Sequence, residues 1–475
     1  MAKRKSSAAN PRRKTRSESG RLIVVANRLP VHRVRQGGKS VWKMSPGGLV
    51  TALEPILQDT GGAWVGWAGS TGAAPKPFKS DRIDLKPVPL SKQELDSFYA
   101  GFSNATLWPL YHDAIRVPVF RRSWWAAYEK VNRRFAEAAA AVYKPGDTVW
   151  VHDYQLQLVP GMLRELRPDA KIGFFLHIPF CSEELFARIP RRREILEGML
   201  GADLLGFQTR LSGQNFARTA RRFTSATGKD TELHFGDRVC RVSNFPISID
   251  FKRFEGMATS AEVLVKAEQI RQKLGPERRI LLGVDRLDYT KGIDVRLRAM
   301  EEVLRRAKFT AEDIVFIQVA VPSREDVAEY VEMRSSIEEL VGRINGQHSE
   351  TGRVAIHYLR RNLAQEELFA YYTLAEVMLV TPLRDGMNLV AKEYPACRLK
   401  NDGVLLLSEF AGAAEELKQA VTVNPFDIDG VAHSIEEALR MGKAEQKRRM
   451  TAMRRYLRAH DVYDWADSFL GALKK

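Results

Sequence analysis

The sequence predicts two α/β halves, each built on a largely parallel sheet and joined by a linker. Short apolar runs alternate with amphipathic or charged stretches of helical length along most of the chain. Many of these runs deliver Arg, His or Asp to their carboxyl ends, where open α/β sheets bind ligands. The alternation breaks near 245–258, around Pro246, and then starts afresh.

Size and composition agree with this. A chain of 475 residues is long enough for two domains with separate cores. The apolar (44%) and charged (28%) fractions are those of a globular protein. No apolar run reaches a membrane span of roughly 18–20 residues, and no h-region follows the basic start. Cys181, Cys240 and Cys397 are odd in number and far apart, which suggests neither a disulfide framework nor a zinc site. A cytoplasmic location is expected.

The net charge of +16 is uneven. Residues 1–19 hold seven Lys/Arg and one Glu, so this tail supplies +6 and the rest of the chain +10. Rich in Ser, Lys and Arg without apolar periodicity, the tail reads as disordered and solubilising. Arg191, Arg192 and Arg193 stand at helical spacing from Glu194 and Glu197 and read as a solvated face. No zinc-finger or aromatic–basic pattern accompanies these charges, so no specific nucleic-acid partner is expected.

The first half begins with the apolar run Leu22–Ala26, a buried first strand, which delivers Arg28 to its carboxyl end before Pro30 stops regular structure. No acid lies close to Arg28 in sequence, which favours an oxyanion partner. Gly47 and Gly48 precede a helix through Leu57, where they would let backbone approach a phosphate. Ala63–Ala68 reads as a strand, Lys92–Ala100 as a short helix and Trp124–Val142 as a long amphipathic one. Tyr99 and Trp108 are aromatic faces that could carry a sugar or fill the core. Thr148–Val151 delivers His152, Asp153 and Tyr154. Ile172–Leu176 delivers His177 and Ile178, and Asp203–Phe207 continues the pattern.

The second half restarts at Arg279–Val284, which leads into Asp285, Arg286, Asp288 and Lys291. Two cations five residues apart on one βα loop make either a phosphate clamp or salt bridges to Asp285 or Asp288. Ile314–Val321 brings Arg324 to another strand end. Val354–Leu359, Val377–Thr381, Val404–Leu407 and Val421–Val423 complete the sheet. The densest stretch is 381–394, where a strand end, the turn Asp385-Gly386 and a helix start from Asn388 follow one another. There Asp385 would reach a sugar hydroxyl or cap the helix, and Glu393 is placed for a ribose diol. No G-x-G-x-x-G or Walker A pattern occurs, no paired-His metal motif is present, and Asp427-Ile428-Asp429 reads as a helix start. No metal or cofactor is expected. The sum is a cleft enzyme moving a sugar from a nucleotide to a phosphorylated acceptor.

Several long blocks, in order, carry a resemblance. They are Ala26 to Pro30, Ser45 to Leu49, Asn104 to Pro109, Trp150 to Tyr154, Phe174 to Phe180, Arg286 to Gly292 and Thr381 to Tyr394. From about residue 21 onward the chain resembles the trehalose-6-phosphate synthases, retaining glucosyltransferases of glycosyltransferase family 20 with GT-B fold. That fold sets two Rossmann-like domains facing each other across a cleft. The resemblance implies a tail over 1–19, an acceptor domain over 20–245 and a nucleotide-sugar domain over 246–475, with the last helix packing back on the first domain.

It further implies a reaction and a set of roles. Glucose would move with retention from a nucleoside diphosphate glucose, UDP-glucose favoured, to glucose 6-phosphate, giving α,α-trehalose 6-phosphate. Arg28, Tyr99, Asp153 and Arg324 would hold the acceptor. Gly47, Gly48, His177, Arg286, Lys291, Leu363, Asp385 and Asn388, with Leu389, Val390, Ala391, Lys392 and Glu393, would hold the donor. Asp153, His177, Arg286 and Lys291 would carry catalysis, while Trp108 and Ile178 would select the acceptor's α-anomer. Cys181 replaces a Pro that many relatives have after His-Ile-Pro-Phe. Small-molecule substrates are the expected partners, and a homo-oligomer, with a homotetramer among its forms, is the expected assembly. Two alternatives stay open here: a sister enzyme using glycerol 3-phosphate, and a non-catalytic sugar-phosphate sensor.

Overall fold

The computed structural model describes residues 20–36, 39–45, 48–80, 82–323 and 328–475. The tail 1–19, Gly47 and Arg324 lie outside the described residues.

Two sheets organise the described residues. The first is ten-stranded. Its strands run Thr227–Lys229, Glu232–Phe235, Arg238–Asn244, Leu204–Phe207, Lys171–Leu176, Thr148–His152, Leu22–Arg28, Ala63–Trp67, Ile83–Val88 and Phe78–Ser80 from edge to edge. The central pairings are parallel, and antiparallel strands close both edges. Leu22–Arg28 sits between two parallel neighbours, so Ile23, Val24 and Val25 are buried on both faces, which is why that stretch is uniformly apolar. The second sheet is six-stranded and wholly parallel: Ile356–Leu359, Ile314–Val321, Arg279–Arg286, Val377–Val380, Val404–Ser408 and Val421–Val423.

The structure departs from the sequence reading in three places. After Pro30 the chain does not stop but forms an antiparallel hairpin, Val31–Gln36 with Lys39–Met44, whose polar residues hid its strands. The edge strands Phe78–Ser80 and Thr227–Lys229, and Glu232–Phe235 beside the latter, are likewise short and polar or exposed, while the unpredicted Ile83–Val88 is an inner strand with Ile83, Leu85 and Val88 buried. The short helix expected at Lys92–Ala100 is the start of a longer irregular one. A Ser91–Glu94 capping box opens it, the wide π-turns of Leu95–Leu107 continue it, and Trp108–Tyr111 ends it. Wide turns of this kind concentrate at functional sites, and this one carries Tyr99.

The chain crosses between the halves twice, once after Asn244 and again between helices Lys443–Ala459 and Val462–Lys474. The first of these helices packs against Val390–Cys397 in the second half, and the second returns to the first sheet. Trp465 and Phe469 cover that sheet's exposed face: Phe469 stacks on Trp150 with ring centres 4.2 Å apart, and Trp465 meets Phe175 edge-on at 5.2 Å. Gly173 leaves the space, because a Cβ there would lie 2.7 Å from the Phe469 ring. No helix among the described residues is long and apolar enough to cross a membrane. Phe469 is fully buried, so Phe469→Ala should cost about 3–5 kcal/mol, read as an earlier chemical-unfolding transition of the first domain.

Candidate active site

The carboxyl ends of both sheets face one cleft. On the first domain's wall Arg28 ends its strand, exposed, with its guanidinium carbon 4.4 Å from the centre of the Trp67 ring. No carboxylate among the described residues pairs with it, so its charge stays available. Asp153 follows the strand Thr148–His152 in an unusual backbone conformation (φ 75°) that a non-glycine residue rarely adopts. Two backbone contacts hold it there: its N–H donates to the Phe175 carbonyl (2.8 Å), and its Oδ1 accepts the His177 N–H (3.2 Å). Burial pushes its carboxyl up to about 6, although the Tyr154 and His177 amides and the Arg286 charge pull the other way.

His177 lies beside it, half-buried, with Nε2 3.1 Å from Nδ1 of the buried His152. Burial takes His177 down to about 3 and His152 well below its ordinary range, so both rings are neutral at pH 7. Neutral imidazole offers a sugar a hydrogen bond without adding charge. Tyr99 is half-buried on the wide helix, and Trp108 and Ile178 are almost fully buried nearby.

The opposite wall carries Arg286 and Lys291. Arg286 ends the strand Arg279–Arg286, exposed, and no carboxylate among the described residues pairs with it. The alternative pairings weighed for Lys291 do not form: Asp285 binds Arg296 (2.5 Å), and Asp288 accepts from Thr290 (3.0 Å to its amide) and Tyr330 (3.0 Å). Lys291 instead bonds Asp385 at 2.5 Å, 94 residues away. Asn388, also in the left-handed region (φ 73°), donates to the same Asp385 oxygen at 3.0 Å. Burial would raise the Asp385 carboxyl, but the Lys291 ammonium outweighs it and holds the group below its ordinary range. Asp385 is therefore a fixed carboxylate and not a helix cap.

The helix Val390–Cys397 begins just beyond, with Leu389 at its cap and no side-chain capping bond. The Ala391, Lys392 and Glu393 amides donate to the Asn388 and Leu389 carbonyls (3.3, 2.8 and 2.9 Å), while the Leu389 and Val390 amides have no acceptor among the described residues and are free for an anion. Glu393 accepts from Tyr372 (2.7 Å), and burial raises its carboxyl. Gly48 opens the helix Gly48–Thr60, and Leu363 packs half-buried after the strand Ile356–Leu359. Lys392 corrects one expectation. Its fully buried ammonium bonds the Ile247 carbonyl (2.7 Å) and pairs with Glu416 (2.6 Å), so its side chain is not left for a donor.

The two walls touch. Arg286 lies over the Trp108 ring at 5.7 Å, and Arg384 pairs with Asp113 at 3.1 Å. Gly386 packs on the His177–Ile178 backbone so closely that a Cβ would come within 2.4 Å of the His177 carbonyl. Sequence reasoning missed Asp113, Arg384 and the buried His112, whose Nδ1 donates to the Trp108 carbonyl (2.7 Å). Burial lowers His112 to about 4, against the pull of the Trp108 carbonyl and the Asp288 and Asp385 charges. Only its place three residues after Trp108-Pro109 could have singled it out. Among the described residues no group of three or more His, Cys, Asp or Glu gathers as a metal site would require. The Asp427-Ile428-Asp429 stretch caps a helix through Asp427 (2.9 Å to the Gly430 amide), and Arg191 and Arg193 pair with Glu194 and Glu197.

The wall chemistry is that of a site for a diphosphate and for hydroxyl-rich rings. Glycosyltransferase family 20 matches residues 20–475. A trehalose-6-phosphate synthase of Mycolicibacterium smegmatis is 53% identical over 469 residues, covering 97% of this chain and 93% of that one. Among solved structures, a Burkholderia xenovorans α,α-trehalose-phosphate synthase (UDP-forming) in complex with glucose-6-phosphate superposes with TM-score 0.88 at 36% identity, covering 96% of this chain and 100% of that one. An E. coli structure, trehalose-6-phosphate bound with UDP-2-fluoro glucose, gives TM-score 0.89 at 36% identity, with 96% and 99% covered.

Asp153 should titrate near pH 6 in the free protein, about two units above an exposed aspartate. The carboxyl ¹³C NMR signal that disappears in Asp153→Asn should report it. A midpoint near 4 would mean that the cleft floor is wetter than its packing indicates.

Proposed function

Since the chain belongs to glycosyltransferase family 20, we propose that it transfers glucose from UDP-glucose to glucose 6-phosphate, giving α,α-trehalose 6-phosphate and UDP. The observation that carries this is the pairing of roles across the cleft. Arg286, without a carboxylate partner among the described residues, and the Lys291–Asp385 pair stand opposite Asp153 and the neutral His177. The relatives bound with UDP-2-fluoro glucose and with glucose-6-phosphate support the same two substrates.

The donor's diphosphate lies against Arg286, Lys291 and the open Leu389 and Val390 amides, with Gly47 and Gly48 as further donor contacts. Asp385 and Asn388 hold hydroxyls of the transferred glucose, and His177 adds a neutral hydrogen bond. Glu393 receives the ribose, and Leu363 lines the base. Arg28 and Arg324 take the acceptor phosphate, Tyr99 and Asp153 its ring, and Trp108 with Ile178 select its α-anomer.

In the chemical step the bond between glucose C1 and the diphosphate oxygen breaks. The O1 hydroxyl of glucose 6-phosphate bonds C1 on the same face, and its proton passes to the leaving diphosphate. Arg286 and Lys291 neutralise the charge growing on that diphosphate, where a preorganised cation is most effective. A double-displacement route needs a free carboxylate nucleophile. Asp385 is engaged by Lys291 and Asn388, which favours front-side attack.

A coupled assay with five nucleotide-glucose donors and two acceptors, glucose 6-phosphate and glycerol 3-phosphate, tests the assignment. UDP release with glucose 6-phosphate is expected, and the proton NMR of the product should show an α,α-1,1 linkage with and without EDTA. Turnover with glycerol 3-phosphate alone, or with neither acceptor, overturns it. Arg286→Ala should lower kcat by about 10²–10³-fold with a smaller change in donor KM. Arg28→Ala should instead raise the KM for glucose 6-phosphate well beyond that for the donor. The reverse pattern would place Arg28 on the wrong substrate.

A further inference from the structure

Lys392 has no exposed surface, yet it belongs to the helix whose first turn faces the cleft. Its ammonium is spent on two bonds that leave the helix. One goes to the Ile247 carbonyl, in the linker that carries the chain out of the first domain. The other goes to Glu416, whose second oxygen accepts the Tyr456 hydroxyl at 2.8 Å. Tyr456 stands on the helix Lys443–Ala459, which leads into the second crossing. Burial lowers the lysine's proton affinity, and the Glu416 charge restores part of it. A buried ion pair of this kind adds little to stability when replaced whole, and its best-attested value is to specify one arrangement.

The two crossings are themselves laced together. The Val462 amide donates to the Ile249 carbonyl (3.0 Å), Trp465 Nε1 donates to the Phe245 carbonyl (3.1 Å), and the Tyr463 hydroxyl donates to Asp250 (2.9 Å). The far end of the donor-side helix is held as well: Arg454 donates to the Pro395 and Ala396 carbonyls (2.8 and 2.6 Å) and pairs with Glu255 just past the linker. A cavity of about 170 Å³ lined by Asn244, Phe245, Pro246, Glu416, Tyr456 and Asp461 lies beside these bonds and leaves the crossing room to move. Gly386 rests on the His177 backbone, so the halves meet beside the cleft, and the two crossings are the segments about which they can part.

We propose that Lys392 is a positioning residue that couples the donor-binding turn of its helix to the interdomain hinge, through Ile247 on one side and Glu416–Tyr456 on the other. This rests on the reading of that turn as the diphosphate site. A diphosphate seated on the first turn fixes the helix, and Lys392 then draws the linker and the C-terminal crossing into the closed arrangement. The donor is enclosed before water can hydrolyse it.

The test compares the wild type with two variants. Lys392→Met combined with Glu416→Leu removes both buried charges together and leaves neither unpaired. Tyr456→Phe removes one link without changing packing, and it decides alone if the double variant does not fold. UDP affinity is measured by calorimetry. Closure is read as the drop in radius of gyration on adding UDP and glucose 6-phosphate, and leakage as the fraction of UDP-glucose hydrolysed rather than transferred. In the double variant UDP should bind within about threefold of wild type, compaction should be lost, kcat should fall about tenfold or more and leakage should rise. Tyr456→Phe should move the same quantities in the same direction by about threefold. Wild-type compaction and kcat in the variants overturn the coupling, as does a loss of UDP affinity that matches the loss in kcat. A wild-type protein that binds no UDP overturns the functional reading as well.

Discussion

The seating of the last helix on the first sheet is the constraint from which the cleft follows. Trp465 and Phe469 bury two large aromatic faces against Trp150 and Phe175, and removal of that much apolar surface from water is worth several kcal/mol. The helix belongs in sequence to the second half, so its anchoring ties each half to the other at a second point. With only the linker at 245–250, the halves could swivel freely. With two crossings bonded to one another, their relative freedom is restricted, and Arg286 is held over the Trp108 ring.

That fixed geometry lets modest electrostatics matter. The cleft sets Arg286 and Lys291 on one wall and, besides Arg28, neutral or weakly acidic groups on the other. Burial produces this contrast: it keeps His112, His152 and His177 uncharged and Asp153 easily protonated, while Lys291 stabilises the Asp385 carboxylate. The Arg286–Lys291 wall suits an anion. The neutral His177 and the Asp153 carboxyl suit hydroxyls on the other, where Arg28 is the cation. Asp153 and Asn388 both sit at positive φ, strain that the surrounding bonds of each loop sustain.

The parallel strands, their order of appearance and the residues at their ends were legible in the chain, because a strand buried on both faces must be apolar throughout and its polar termination marks the rim. The family blocks were legible for a related reason: a site built from loop residues adjacent in sequence keeps its signature there, as Thr381 to Tyr394 does. Polar hairpins and edge strands escaped because they bury too little surface to impose a pattern, as Val31–Gln36 shows.

Sequence by itself thus determined the two-sheet architecture, the cleft rim and the chemical types gathered on it. Tertiary structure alone decided how those groups pair. Lys291 was read beside two nearby aspartates, yet its partner is Asp385, because the parallel sheet sets the ends of Arg279–Arg286 and Val377–Val380 side by side. Lys392 was read as a donor contact, yet helical rotation turns it from the cleft to the linker, where the Ile247 carbonyl and Glu416 wait. Asp113 found Arg384 across the gap between halves. Pairing depends on distances between segments far apart in the chain, and packing of the whole molecule, rather than local composition, sets those distances.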